Sequence, residues 1–264
     1  MPTAQLEQLR VDPGEPARLA ERDPRDTLGL EKEEAEKQTK KLRERIDELQ
    51  YLLFAEAKRA VLLLLQGVDA SGKDGVIRRV FAGVNPQGVR VTSFKAPVGA
   101  EVEHDYLWRI HAALPPRGTI GVFNRSHYED IVTVGVLGLF PEEVWRRRGG
   151  HIREFERMLA DEGTATAKVF LNVSRREQRE RLQERIDDPQ KRWKFRPGDL
   201  DVSERYDEYL AAYDAAITET STEWAPWHVV PADRNWVKTY ATASIVCEIL
   251  ERLDPKLPEG PEAS

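Results

Sequence analysis

Residues 61–75 read VLLLLQGVDASGKDG, and no other stretch restricts the chain so tightly. Five aliphatic residues, Val61 to Leu65, run into Gly67-Val68-Asp69-Ala70-Ser71-Gly72-Lys73, which matches the G-x-x-x-x-G-K part of a phosphate-binding loop. A short unbroken apolar run ended by glycine predicts a strand buried on both faces. Beyond the loop, Val76, Ile77, Val80 and Phe81 recur at helical spacing. Strand, loop and helix therefore follow in the order such a loop needs. The glycines let the backbone wrap inward so that N–H groups face phosphate oxygens, with the positive end of a helix dipole behind them. Gly67, Ala70, Ser71, Gly72, Lys73, Asp74 and Gly75 form the expected cradle, with Lys73 reaching the transferred group. Asp74 stands where the general pattern has the Ser or Thr that ligates magnesium. An accidental glycine-rich turn would leave the agreement of the flanking elements unexplained.

A chain of 264 residues suits one large α/β domain or two small ones. The net charge of −6 argues against general nucleic-acid affinity, so a polyanion must be met by local basic clusters. Cys247 is the single cysteine, which excludes an intramolecular disulfide framework. Among Ile245, Val246, Ile249 and Leu250 it reads as a buried structural thiol. The N-terminus carries no apolar leader, and no run approaches the roughly 18 residues of a membrane span. A cytoplasmic protein with no membrane partner is expected.

Residues 1–28 hold Pro13, Pro16 and Pro24 among charges without periodicity and predict a loosely packed, flexible arm. From 29 to 60 the composition becomes that of a charged amphipathic helix, with Leu42, Ile46, Leu49, Leu52 and Leu53 on one face. Four further strands are expected at Val89–Phe94, Thr119–Phe123, Lys168–Val173 and Trp227–Val230. Helices are expected over 101–114, 141–148, 150–161, from Ser174 to Pro189, 202–221 and 236–253. A single domain over 29–254 follows, with a lid near 175–200 and a flexible tail at 255–264. Strands alternating with helices predict a five-stranded parallel sheet covered on both faces. Ligands of such sheets bind outside the carboxyl ends of the strands, where the loop and residues 124–130 would meet.

Phosphate chemistry asks a protein chiefly for positioning and for cations around a multiply charged group. Residues 175–196 carry nine cations against five acids in a chain that is negative overall. Arg175 and Arg179, four apart, share one helix face, and guanidinium forks grip phosphate oxygens in pairs. A solvated helix laced with Glu–Arg pairs is the bland alternative. Asn124 and Arg125 follow the third strand, where enzymes with such a loop place a magnesium-binding acid; Asp69 and Asp74 are alternative oxygen donors, and Arg125 a candidate for cradling transition-state charge. Lys95, Asn124, Tyr128 and Glu129 are candidates for contacts with an acceptor; Lys95, Tyr128 and Glu129 each have a plain surface or packing explanation as well. His104, His111, His151 and His228 show no metal-ligand spacing.

With GVDASGKDG, FNRSHYED and SRREQRERLQERIDDPQKRWKF in view, the chain resembles the polyphosphate kinase type-2 family from about residue 30 to 250. The resemblance implies a P-loop kinase three-layer sandwich similar to thymidylate kinase, with an N-terminal helical extension. It implies a magnesium-dependent site under a mobile helical lid, in a protein that is commonly a homo-oligomer, a dimer or tetramer. Carried over by position, it implies that Asp69 and Lys73 act in the loop, with Asp69 partly holding Mg2+. Arg125 would sit in the Walker B region, and Arg175 and Arg179 in the lid. Many members have Asp at the position of Asn124 and Asn at that of Glu129; the pattern here looks like the subgroup acting on both AMP and ADP. Inorganic polyphosphate as donor and adenine nucleotides as acceptors are the expected substrates. An ATP-dependent nucleoside monophosphate kinase on the same fold is the second reading, and a nucleotide-sensing module without turnover the third.

Overall fold

The computed structural model describes residues 4–194 and 198–260. The strands are β1 (Arg10–Val11), β2 (Ala60–Gln66), β3 (Val89–Ser93), β4 (Ile120–Asn124), β5 (Thr164–Asn172) and β6 (Trp227–Pro231). The helices are α1 (Ala4–Glu7), α2 (Lys32–Glu56), α3 (Lys73–Val80), α4 (Trp108–Ala112), α5 (Val132–Leu137), α6 (Glu142–Asp161), α7 (Arg175–Asp187), α8 (Gly198–Glu204), α9 (Tyr206–Thr220) and α10 (Asn235–Leu253). They build one sheet in the order β1-β6-β5-β2-β4-β3. The five expected strands run parallel, and β1 adds a sixth, antiparallel edge with Arg10 opposite His228. Among the described residues no helix is long and apolar enough to cross a membrane.

Burial explains the centre of the sheet. Val61 to Leu65 are completely inaccessible because β2 has strands on both edges and helices on both faces. One helical layer is built from α2, α3 and α10, the other from α5, α6 and α9. Ile46, Leu49 and Leu53 of α2 are buried, with Leu42 and Leu52 packed beside them, so the apolar face read from the sequence is the one that docks. The chain leaves β2 for β3, returns to β4 beside β2, then crosses to β5 on the other side. That reversal opens a crevice at the carboxyl end of β2. Register sets Leu65 beside Asn124 and Gln66 beside Phe170, which brings the loops after β2 and β4 together.

Several elements differ from expectation for local reasons. The helix expected over 101–114 is a 3-10 turn at Gly99–Val102 followed by α4. Asp105 interrupts it by accepting the Leu107 N–H on its side chain at 2.9 Å, an Asx turn that competes with helix. The two helices expected over 141–161 are one, α6, which runs through Gly149 and Gly150. The Glu219 carboxylate of α9 packs directly over Gly149, so this glycine marks a close approach of two helices and not a stop. The helix expected over 202–221 breaks at Arg205 into α8 and α9.

Residues 4–28 correct the expectation of a loose arm. Leu6, Leu9, Val11, Ala17, Leu19 and Leu28 are buried in the common core. The Ala17 N–H donates to Thr218 Oγ1 at 2.9 Å and the Leu19 N–H to Asp214 Oδ1 at 2.6 Å, tying the segment to α9. The Asp233 N–H donates to Pro24 O at 3.1 Å, tying it to the loop after β6. Leu19→Ala should therefore cost about 2–5 kcal/mol of unfolding free energy, the range for a buried leucine. Chemical denaturation reads this directly, and a change near zero would restore the loose arm.

Candidate active site

The turn out of β2 has little freedom. Gly67 sits at φ 143°, and a Cβ there would lie 2.9 Å from both Leu171 O and Ser71 Oγ. Ala70 and Gly72 follow in left-handed conformations, at φ 62° and 103°, and Gly72 caps the start of α3. The Ser71 N–H closes the turn on Val68 O at 3.2 Å. The first N–H groups of a helix have no intrahelical partner and carry its positive partial charge, so the cradle faces an anion. Asp74 and Gly75 lie in the first turn of α3, Asp74 exposed. Lys73 is buried; its Nζ donates to Gly67 O at 2.7 Å and Val68 O at 3.3 Å, with Ser71 Oγ at 3.4 Å. Burial and then Arg125 push its pKa down to about 8, while Asp69, Glu129 and Asp74 pull it up.

The loop after β4 brings opposite charges to the same place. Arg125 is left-handed at φ 64°, a backbone cost for a residue with a side chain, tolerated where the surroundings fix it. Its N–H donates to Leu65 O at 3.0 Å, and its guanidinium pairs with Asp69 and lies 3.8 Å from the Glu129 carboxylate. Burial works against that charge, but Glu129 and Asp69 outweigh it and the pKa of Arg125 is raised. In the orientation its neighbours require, the Gln66 amide nitrogen donates to Glu129 Oε1 at 2.9 Å and Tyr213 OH at 3.2 Å. Asn124 Nδ2 donates to Asp74 Oδ1 at 2.6 Å. Asp69, Lys73, Asp74, Asn124, Arg125 and Glu129 thus form one cluster.

Three expectations fare differently. Tyr128 is corrected as an acceptor contact: it is 1% exposed, and its hydroxyl donates to Glu156 Oε1 at 2.9 Å while accepting from Lys168 Nζ at 2.9 Å. Lys168 also donates to Glu156 Oε2 at 2.6 Å, so Tyr128 closes a core network beneath the cluster. Lys95 is exposed just beyond the end of β3, and among the described residues no hydrogen bond or ion pair ties its amine to the loop. In α7, Arg175 pairs with Asp207 at 2.9 Å and lies over the Tyr206 ring, and Arg179 is exposed. Arg196 of the expected lid lies outside the described residues.

Two basic side chains grip the loop from behind, neither assigned to it from the sequence. Arg181 NH1 donates to Ala70 O at 3.1 Å and Ser71 O at 3.0 Å, and NH2 to Ala232 O at 2.9 Å and Asp233 O at 2.7 Å. Lys238 of α10 donates to Ser71 O at 2.9 Å and Ala232 O at 3.0 Å. A lone lysine inside the apolar pattern of the last helix was the available signal. Ser174 caps α7 by accepting the Glu177 N–H at 3.2 Å, and Asp233 takes the Ser174 N–H and hydroxyl at 2.7 and 2.8 Å.

No group of three or more His, Cys, Asp or Glu among the described residues is arranged to hold a metal by itself. Asp69 and Asp74 suit a different case. Magnesium in phosphate sites takes one or two carboxylates and completes its shell with phosphate and water.

A parallel sheet with its phosphate loop at the switch point, a buried lysine in that loop and arginines around it define a P-loop phosphotransferase. The family profile of Polyphosphate kinase 2 (PPK2) matches residues 29–258, and the chain belongs to that family. It is 51% identical to the AMP/ADP-polyphosphate phosphotransferase of Meiothermus ruber, over 98% of each chain. It is 43% identical to the ADP-polyphosphate phosphotransferase of Rhodopseudomonas palustris, over 82% of this chain and 79% of that one. The crystal structure of polyphosphate kinase 2 from Arthrobacter aurescens superposes with a TM-score of 0.94 at 40% identity, covering 99% of this chain and 94% of the other.

The lowered pKa of Lys73 has a kinetic consequence. The protonated amine is the form that holds phosphate, so kcat/KM for the phosphate donor, which reports the free protein, should fall as pH rises through about 8. A pH–rate profile that stays level well above that value would contradict the role given to Lys73.

Proposed function

We propose that this protein transfers phosphoryl groups reversibly between inorganic polyphosphate and adenine nucleotides, converting AMP to ADP and ADP to ATP. The observation that carries the reading is the buried Lys73 amine inside the 67–73 loop, with Arg125 set against it by Asp69 and Glu129. The relatives named above support the donor and acceptors.

The end of the polyphosphate chain rests on the loop N–H groups, and the Lys73 amine turns from its own carbonyls to a phosphate oxygen. The acceptor enters from the side of Asn124 and Glu129, its terminal phosphate oxygen in line with the donor's last phosphorus. A bond forms from that oxygen to phosphorus as the bond to the bridging oxygen breaks. The bridging oxygen stays, as an anion, on a chain one phosphate shorter. No general base is needed, since the attacking oxygen is already ionised at neutral pH. Arg125 stabilises charge spreading over the equatorial oxygens, and the Asp69 and Glu129 carboxylates hold it there. Arg175 and Arg179 would close over the donor. Magnesium, when bound, offsets charge between phosphates, and Asp69 with Asp74 would hold it. A homo-oligomer belongs to the same proposal, on the strength of the family resemblance.

Supplying AMP with either polyphosphate or ATP and assaying ADP separates this reading from an ATP-dependent nucleoside monophosphate kinase. Product from polyphosphate alone is the expected result; product from ATP alone would overturn it. Lys73→Ala should lower kcat by about 10²–10³, the range for removing one preorganised donor from a transition state. Turnover retained in that variant would remove Lys73 from the mechanism.

A further inference from the structure

Lys238 lies in the first turn of α10, a largely apolar helix, and is completely enclosed, which is a costly place for an amine. Burial, with Arg181 and Arg79 adding to it, pushes its pKa down to about 6, and a neutral amine has two N–H groups for the two carbonyls it serves. Both carbonyls already have another donor. Ser71 O accepts from Arg181 NH1 at 3.0 Å, and Ala232 O from Arg181 NH2 at 2.9 Å. Removing Lys238 would therefore leave neither acceptor without a partner, and folding alone gives no reason to bury an amine here.

The phosphate loop gives one. A trans peptide is planar, with its C=O and the following N–H antiparallel. Holding the Ser71 carbonyl against Lys238 therefore aims the Gly72 N–H away from α10, toward the phosphate side of the loop. That N–H makes no hydrogen bond among the described residues. The approach is so close that a Cβ on Gly72 would strike the Lys238 amine, so the second loop glycine is matched to this lysine as well as to its φ of 103°. Arg181 reaches the same carbonyl from α7, the helix that the family resemblance places in the lid. Lys238 reaches it from α10, which packs on the sheet and on α2 and α3.

We propose that Lys238 is a positioning residue for phosphoryl transfer, holding the Ser71–Gly72 peptide from the fixed frame of α10 so that the Gly72 N–H meets the donor phosphate. This rests on the phosphotransferase reading above.

Lys238→Met keeps the apolar stem and removes the donors. The expected result is a denaturation midpoint at or above that of the unsubstituted protein. With it, kcat/KM for polyphosphate should fall about tenfold or more, with KM for ADP at saturating polyphosphate held within about twofold. Lys238→Gln, which retains an N–H donor, should fall between the two. Unchanged kinetics in Lys238→Met would overturn the proposal. So would a variant that fails to fold, or one whose midpoint and kinetic constants for both substrates decline together, since either assigns Lys238 to the core. If the unsubstituted protein itself shows no polyphosphate-dependent turnover, the functional reading fails. Calorimetric titration with tripolyphosphate then decides Lys238 separately: affinity about tenfold weaker in Lys238→Met supports it, and equal affinity overturns it.

Discussion

The turn from β2 into α3 admits no side chain at Gly67, where the Leu171 carbonyl and Ser71 hydroxyl leave no room, and none without strain at Gly72, where φ is 103° and the Lys238 amine lies close by. Everything else in the site is arranged around that compressed backbone. It can be so tight because β2 is held on both edges and both faces, giving the loop a rigid root. Loop amides aimed by a rigid scaffold act on developing charge without reorganising, which is the condition under which such donors contribute most to a rate.

Around the loop the charges are balanced in pairs rather than simply collected. Asp69 and Glu129 flank Arg125, Asn124 holds Asp74, and Gln66 bridges toward Glu129 and Tyr213. A carboxylate inside a phosphate cradle would repel its ligand if it stood alone; paired with Arg125 it fixes a guanidinium instead. Beneath this layer Lys168, Glu156 and Tyr128 make a second, fully buried network that anchors the 124–130 segment. Behind the loop Arg181 ties α7 to the Ala70 and Ser71 carbonyls and to the loop after β6. The arm at 4–28 reaches that same loop through Pro24 and Asp233. The helix expected in the lid, the phosphate loop and the N-terminal segment therefore share one junction.

Those elements whose pattern is local could be read from the sequence. The apolar run of β2, the glycine spacing of its loop and the docking face of α2 are each written within one segment, and each was found where expected. The N-terminal segment was not, because it packs as an irregular wrap in which buried Leu19 and Leu28 follow no period. Tyr128 could not be told from an exposed site residue, since its burial depends on Lys168 and Glu156, 40 and 28 residues away. Lys238 and Arg181 were visible only as charges. Their role lies in which backbone carbonyls they face, and no pattern in the sequence encodes that. The parallel five-stranded core needed only alternation of element types, while the antiparallel edge β1, two residues long, was too short to signal itself.

A structure of the protein with tripolyphosphate bound tests the central claim most directly. The account predicts a terminal phosphate lying against the N–H groups of residues 67–73, with the Lys73 amine moved from Gly67 O onto a phosphate oxygen. A phosphate chain bound elsewhere, with the Lys73 amine still on Gly67 O, would contradict it.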